Sequence, residues 1–282
     1  MPGTLFVVAT PIGNLEDVTA RALRILREAS VIAAEDTRRT AHLLARYGID
    51  TPTTSFHEHN EFKKTSNLIE RLKRGEAVAL VSDAGTPTIS DPGGYLIRAA
   101  IAAGIRVEAI PGANAAVTAL AASGAQAETF LFLGFPPTRS KDRKKWFADL
   151  RSAGRTVVFY EAPHRLRRTL EEIRDEIGDL TATVAREITK AHEELVKGPI
   201  SEVLHRLPMP RGEFTIVLEI PQTPVTEPEQ TVNDQILANE FGELTKHKQL
   251  TRRQAISSLA DRHHLPRNRV YSAIERGRKS GK

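Results

Sequence analysis

The chain of 282 residues has no cysteine, which excludes disulfides and thiolate chemistry and leaves only His, Asp or Glu to hold a metal. The most suggestive histidines, His57, His59, His263 and His264, do not follow a metal-ligand spacing, so no metal is expected. Aromatic residues make up 5% of the chain, with one tryptophan, and no window approaches the roughly 18 apolar residues of a membrane span. The first ten residues read as a strand without a basic leader, and a cytoplasmic, membrane-free protein is the expectation. Neither a G-x-G-x-x-G fingerprint nor a P-loop lysine is present, so NAD and ATP chemistry lack their usual support.

The net charge of +5 is unevenly placed. Residues 231–282 hold eleven Lys and Arg against five Asp and Glu, while the first 230 are close to neutral. A neutral body with a basic tail points to a polyanionic partner met through the tail, or to a solvated tail kept for solubility.

From Leu5 to about Ala122, apolar runs with strand character alternate with helical patterns, which implies parallel strands covered by helices. Three turns rich in small residues follow such strands: Ala9 to Leu15, Ser82 to Gly94, and Pro111 to Leu120. Ligands of α/β sheets sit at these carboxyl ends, where glycine lets backbone approach a ligand and helix starts present free N–H groups. After Gly124 longer strand candidates with fewer Gly and Pro suggest a second α/β sheet. The expected organisation is an α/β domain over 1–123, a second over 124–220, a proline-rich linker over 221–231 and a basic tail over 232–282. In the tail, Thr251 reads as a helix cap and Pro266 as the start of a second helix. Ala255, Leu259, Leu265, Val270 and Ile274 then form the seam of a helix-turn-helix, which suits nucleic acid and equally suits a helical cap without it.

Six segments carry a resemblance to a known family: Ala9 to Leu15, Ala34 to Arg38, Phe56 to Glu61, Ser82 to Gly93, Pro111 to Ala113 and Tyr160 to Arg165. Together they resemble the small-subunit ribosomal RNA cytidine 2'-O-methyltransferases, within the S-adenosylmethionine-dependent methyltransferases shared with tetrapyrrole methylases. The resemblance spans about Thr4 to Ile220, and the basic tail is similar to the extension of those enzymes. It implies a two-domain α/β body of tetrapyrrole methylase-like fold with S-adenosylmethionine in the cleft between domains, plus a C-terminal helical extension. It also implies a homodimer acting on small-subunit ribosomal RNA, free or in the assembled 30S subunit, at a ribose 2'-hydroxyl in the decoding region.

On that basis Pro11 and Ile12 form one lip of the cleft, and Asp83, Gly85, Thr86, Ser90, Asp91, Pro92 and Gly93 cradle the cofactor. Ala113, Asn114 and Ala115 leave room for a flat base, and Tyr160, Glu161 and Ala162 supply an edge from the second domain, with Phe214 and Thr215 beside it. A ribose hydroxyl must lose its proton, and Glu35, Asp36 and His57 are the candidate bases. Asp36 equally reads as a helix cap. Arg38 and Arg39 suit a phosphate, and Arg139, Lys141, Arg143, Lys144 and Lys145, with Trp146 to stack on a base, extend an RNA path toward Arg267 and Arg269 of the tail. Two other readings compete: a regulator that senses a small molecule and reads DNA, and a methylase of a tetrapyrrole-like small molecule.

Overall fold

The computed structural model describes residues 3–207, 211–221, 234–246, 250–263 and 267–279. It divides into two compact units, Met1–Pro221 and Gln222–Lys282.

In the larger unit, the first sheet contains β1 (Thr4–Val8), β2 (Val31–Ala34), β3 (Thr53–Ser55), β4 (Val78–Val81) and β5 (Arg106–Ile110), all parallel, in the order β3-β2-β4-β1-β5. β2 and β4 are buried at every position, as central strands covered on both faces must be. One face packs on α1 (Ala20–Glu28) and α2 (Thr37–Arg46) through Ile25, Leu26 and Leu44. The opposite face packs on α3 (Glu61–Lys73) and α4 (Gly94–Ala102) through Leu68, Leu72, Leu96 and Ala100. The neighbours β1 and β4 therefore send their chains to opposite faces, and the crevice between their ends is the topological switch point where such sheets bind ligands.

α5 (Ala115–Ser123) leads into the second sheet, which holds β6 (Phe130–Phe132), β7 (Thr156–Glu161), β8 (Thr181–Arg186), β9 (Glu194–Pro199) and β10 (Phe214–Glu219) in the order β6-β7-β10-β8-β9. Only the β6–β7 pair is parallel. Alternation along the strands divides the side chains between two faces. Val157, Phe159, Ile216 and Leu218 meet α6 (Ser140–Arg151), α7 (Pro163–Glu176) and α8 (Ile200–Arg206) in the largest core. Val158, Ala185 and Val217 turn instead toward Ala116, Ala119 and Leu120 of α5 and toward Ile12. That shared core joins the two sheets and aims Tyr160 and Thr215 at the switch point.

Trp146 is 6% exposed, edge-on to Phe147 and Phe159 with centroids 5.2 and 5.3 Å away, so it is core and not a base-stacking surface. Two strands absent from the sequence reading are β3, only three residues long, and β9, an edge strand ending in Gly198 and Pro199.

Among the described residues of the smaller unit, α9 (Asp234–Lys246), α10 (Arg252–Arg262) and α11 (Arg267–Lys279) pack around Phe241, Leu244, Ala255, Leu259, Val270 and Ile274. Thr251 caps α10 in a full capping box with Gln254. Most of the 221–231 segment, together with Leu265 and Pro266, lies outside the described residues, as do the side chains of Arg267 and Arg269. No described helix is long and apolar enough to cross a membrane.

Truncating Phe159, fully buried between sheet and helices, is expected to lower stability by about 3–5 kcal/mol. Urea unfolding of Phe159→Ala followed by circular dichroism checks this; a shift below about 1 kcal/mol contradicts the packing described.

Candidate active site

The loop from Ser82 to Gly93 after β4 is tied to three neighbouring strand ends. Toward β1, Thr10 and Gly85 exchange backbone hydrogen bonds of 2.8 and 3.0 Å, and the Thr10 hydroxyl donates to the Ser82 carbonyl at 3.2 Å. Toward β2, the Asp36 N–H donates to Asp83 Oδ1 at 2.8 Å, and the Asp83 N–H donates to Glu35 Oε2 at 3.2 Å. Toward β5, the Thr86 hydroxyl donates to the Ala113 carbonyl at 3.2 Å. Gly85 has φ +84°, and a Cβ there would lie 3.4 Å from Ile12. Thr88 and Ser90 hold φ of 74° and 68°, uncommon for residues with a side chain and a mark of strain kept near functional sites.

A cavity of ≈ 360 Å³ opens above this loop, within the range of small-molecule sites. Ile12, Asp83, Gly85, Thr86, Ser90 and Asp91 line it from the first sheet, with Asn114 and Ala115 from the start of α5. Tyr160, Glu161, Ala162, Phe214 and Thr215 line it from the second sheet. Pro11 lies in an adjoining cavity, whereas Pro92, Gly93 and Ala113 stand behind the wall. Gly93 turns the chain into α4 at φ +124°, where a Cβ would come 2.7 Å from Leu80, so its smallness serves packing.

Several side chains also brace the wall they line. Asn114 caps α5 by accepting the Val117 N–H at 3.2 Å. Glu161, 2% exposed, accepts from the Thr169 hydroxyl at 2.6 Å and the Ala162 N–H at 2.8 Å, and pairs with Arg165 at 3.3 Å. A buried carboxylate so fully partnered fixes the β7–α7 turn.

The three candidate bases separate. Glu35 lines the cavity, and burial together with the Asp83 charge raises its pKa above the ordinary carboxylate value. Asp36 is the N-cap of α2: its carboxylate accepts from the Arg38 side chain and backbone, which hold it down at about 2, too weak a base for the role. His57 lines neither cavity; its Nε2 meets Asn60 at 2.9 Å, and its Nδ1 is buried without a partner among the described residues.

Asp91 is half-buried. Removal from water, then the charges of Glu35 and Asp83, push it up to about 6. Arg39 lines the cavity and lies 3.6 Å from Asp83. Arg38 is solvent-exposed on Asp36, so only one of the two arginines faces the site. Of the second basic run, Arg139, Lys141, Lys144 and Lys145 are exposed. Arg143 is not available to RNA: its guanidinium, 12% exposed, is paired with Glu172 and donates to the Pro137 carbonyl and the Thr169 hydroxyl. Sequence reasoning missed Ile89, Phe135, Ile188 and Glu213 on the cavity wall. Only Phe135, 52% exposed yet aromatic, carries a signal in its type.

Residues 4–204 match the family Tetrapyrrole (Corrin/Porphyrin) Methylases. The chain is 43% identical over 96% of its length to the Ribosomal RNA small subunit methyltransferase I of Bacillus subtilis, covering 94% of that protein. This chain belongs to the ribosomal RNA small subunit methyltransferase I family, within the tetrapyrrole methylases. The family member from Halalkalibacterium halodurans is 49% identical over 77% of this chain and 76% of its own. Among solved structures, uroporphyrin-III C-methyltransferase from Thermus thermophilus, complexed with S-adenyl homocysteine, matches with a TM-score of 0.55 at 20% identity. That match covers 77% of this chain and 97% of the other, and it shows the shared two-sheet fold.

The raised Asp91 gives a pH signature to the free protein. Its folded pKa of about 6 lies above the ordinary value of 3.8, so the native state binds the proton more tightly, and stability falls as pH rises through that window. Asp91→Asn is expected to remove this decline and to be the more stable protein at pH 7, measured by thermal unfolding from pH 4 to 8. An unchanged pH profile in the variant contradicts the assignment.

Proposed function

We propose that the protein transfers a methyl group from S-adenosylmethionine to the ribose 2'-hydroxyl of a cytidine in the decoding region of small-subunit ribosomal RNA. The observation that carries this reading is the 43% identity over 96% of the chain to a named ribosomal RNA small subunit methyltransferase. The cavity supplies the physical fit. Glu35, Asp83 and Asp91 face it with carboxylates that match a cofactor bearing a sulfonium and an ammonium. Gly85 has no side chain to obstruct close approach, and Asn114, Ala115, Tyr160 and Phe214 line the same cavity with small and aromatic side chains, a lining that suits an adenine. When bound, S-adenosylmethionine supplies a methyl group carried on positively charged sulfur.

The residues of the chain then align and deprotonate. The loop ties at Thr10, Asp83 and Thr86 fix one wall of the cleft, and the core shared by α5, Ile12 and the second sheet fixes the other, which is the main service an in-line displacement needs. Glu35 accepts the proton of the ribose hydroxyl; burial, together with the Asp83 charge, raises its pKa and makes it a better base than an exposed carboxylate. The exposed cations Arg139, Lys141, Lys144 and Lys145 add phosphate contacts. The protein acts in the cytoplasm as a homodimer, which would cover apolar side chains now exposed, such as Phe62 and Ile101; light scattering reads the mass.

Purified protein and labelled S-adenosylmethionine should mark small subunits that lack the modification, at one position resistant to alkali. No incorporation despite cofactor binding contradicts the proposal and favours a sensor or small-molecule methylase. Glu35→Gln, which keeps the acceptor for the Asp83 N–H, is expected to lower kcat on the order of 100-fold and to leave cofactor affinity nearly unchanged. An unaltered kcat removes Glu35 from the mechanism.

A further inference from the structure

A second cavity, of ≈ 200 Å³, adjoins the cleft and shares Ile12, Arg39, Asp83, Ala84 and Glu213 with it. Its other walls come from the loop after β1, from α2, and from Lys190 in the loop after β8. The inner end carries the buried hydroxyl residues Thr10 and Ser82. The rim carries two cations. Arg39 is 65% exposed, lies 3.6 Å from Asp83 and also feels the Glu35 charge. Lys190 Nζ lies 3.0 Å from both Glu187 Oε1 and Glu213 Oε2, which occupy two of the three ammonium donors.

The Lys190 stem is clamped in place. A Cβ on Gly13 would lie 2.5 Å from Lys190 Cγ, and the Asn14 N–H donates to Thr189 Oγ1 at 3.1 Å. Glu187 and Thr189 hold φ of 50° and 67°, an uncommon conformation for residues with side chains. A transfer reaction requires the donor and acceptor atoms in direct contact, which two cavities that meet at shared lining residues allow. The Thr10 and Ser82 hydroxyls donate to backbone carbonyls of the loop and keep lone pairs for a sugar hydroxyl, and two cations on one cavity suit a phosphate.

We propose that this second cavity receives the acceptor ribonucleotide, with a backbone phosphate between Arg39 and Lys190 and the ribose directed past the shared lining residues into the cofactor cleft. This rests on the methyltransferase reading above. It assigns Arg39 and Lys190, which are far apart in sequence, to one phosphate, and leaves Arg38 on the outer surface.

Lys190→Met keeps the stem and removes the charge. Three quantities are compared in the full-length protein: S-adenosylmethionine affinity by calorimetry without RNA, KM and kcat on small subunits lacking the modification, and the salt dependence of RNA binding. The expected result is cofactor affinity within about twofold and KM raised on the order of tenfold. The slope of log K against log salt should fall by about 0.7, the value of one phosphate contact on a single strand. Lys190→Arg should restore the slope, and Arg39→Gln should lower it equally. An unchanged KM and slope overturn the proposal. So does a loss of cofactor affinity equal to the loss of transfer, which would make this cavity part of the cofactor site. Absence of transfer by the wild-type protein overturns the functional reading instead, and the salt slope still decides whether Lys190 meets a phosphate.

Discussion

The loop between β4 and α4 is the constraint on which the site depends. It carries Asp83, Gly85, Thr86, Ser90 and Asp91 to the switch point, and it stays there because backbone and side-chain bonds fasten it to the ends of β1, β2 and β5. The Thr10–Gly85 backbone pair is an isolated antiparallel bridge just beyond the ends of the parallel strands β1 and β4. Each bond is modest alone, about 1 kcal/mol net. Their joint effect is to remove freedom from a turn rich in residues that would otherwise sample many conformations. The shared core of α5, Ile12 and the inward face of the second sheet then fixes the opposite wall.

Charge in the cleft follows from the same ties. Glu35 and Asp83 are brought together because each accepts a backbone N–H from the other's loop, and Asp91 is half-buried within their field. Burial, and then the repulsion among the three carboxylates, raises Glu35 and Asp91. A cationic ligand relieves that repulsion. Arg39, which lines both cavities, and Lys190, which lines the neighbouring one, bring positive charge beside these carboxylates.

Much of this architecture is legible in the sequence, because apolar runs followed by small-residue turns are local signals. The strands ending at Val8, Val81 and Ile110, and the turns beyond them, need no distant partner to be read. Misreadings arise where tertiary contacts decide a residue's part. Arg143 and Trp146 look like an RNA-binding run with an aromatic, yet the helical period turns both inward, onto Glu172 and Phe159. Asp36 has the composition of a base and the position of a cap. Glu213 and Lys190 join the site only because β8 and β10 pair and the following loop folds back on Gly13. No local pattern encodes that contact, which spans more than 170 residues of chain.

The central claim is that one cofactor cavity is built jointly by the loop after β4, the start of α5 and the ends of β7 and β10. Hydrogen exchange measured by mass spectrometry, with and without S-adenosylhomocysteine, tests it most directly. The account predicts slowed exchange confined to residues 82–91, 112–117, 160–163 and 212–215, with the helices of residues 234–279 unchanged. Protection concentrated in those C-terminal helices, or absent from the loop after β4, would contradict it.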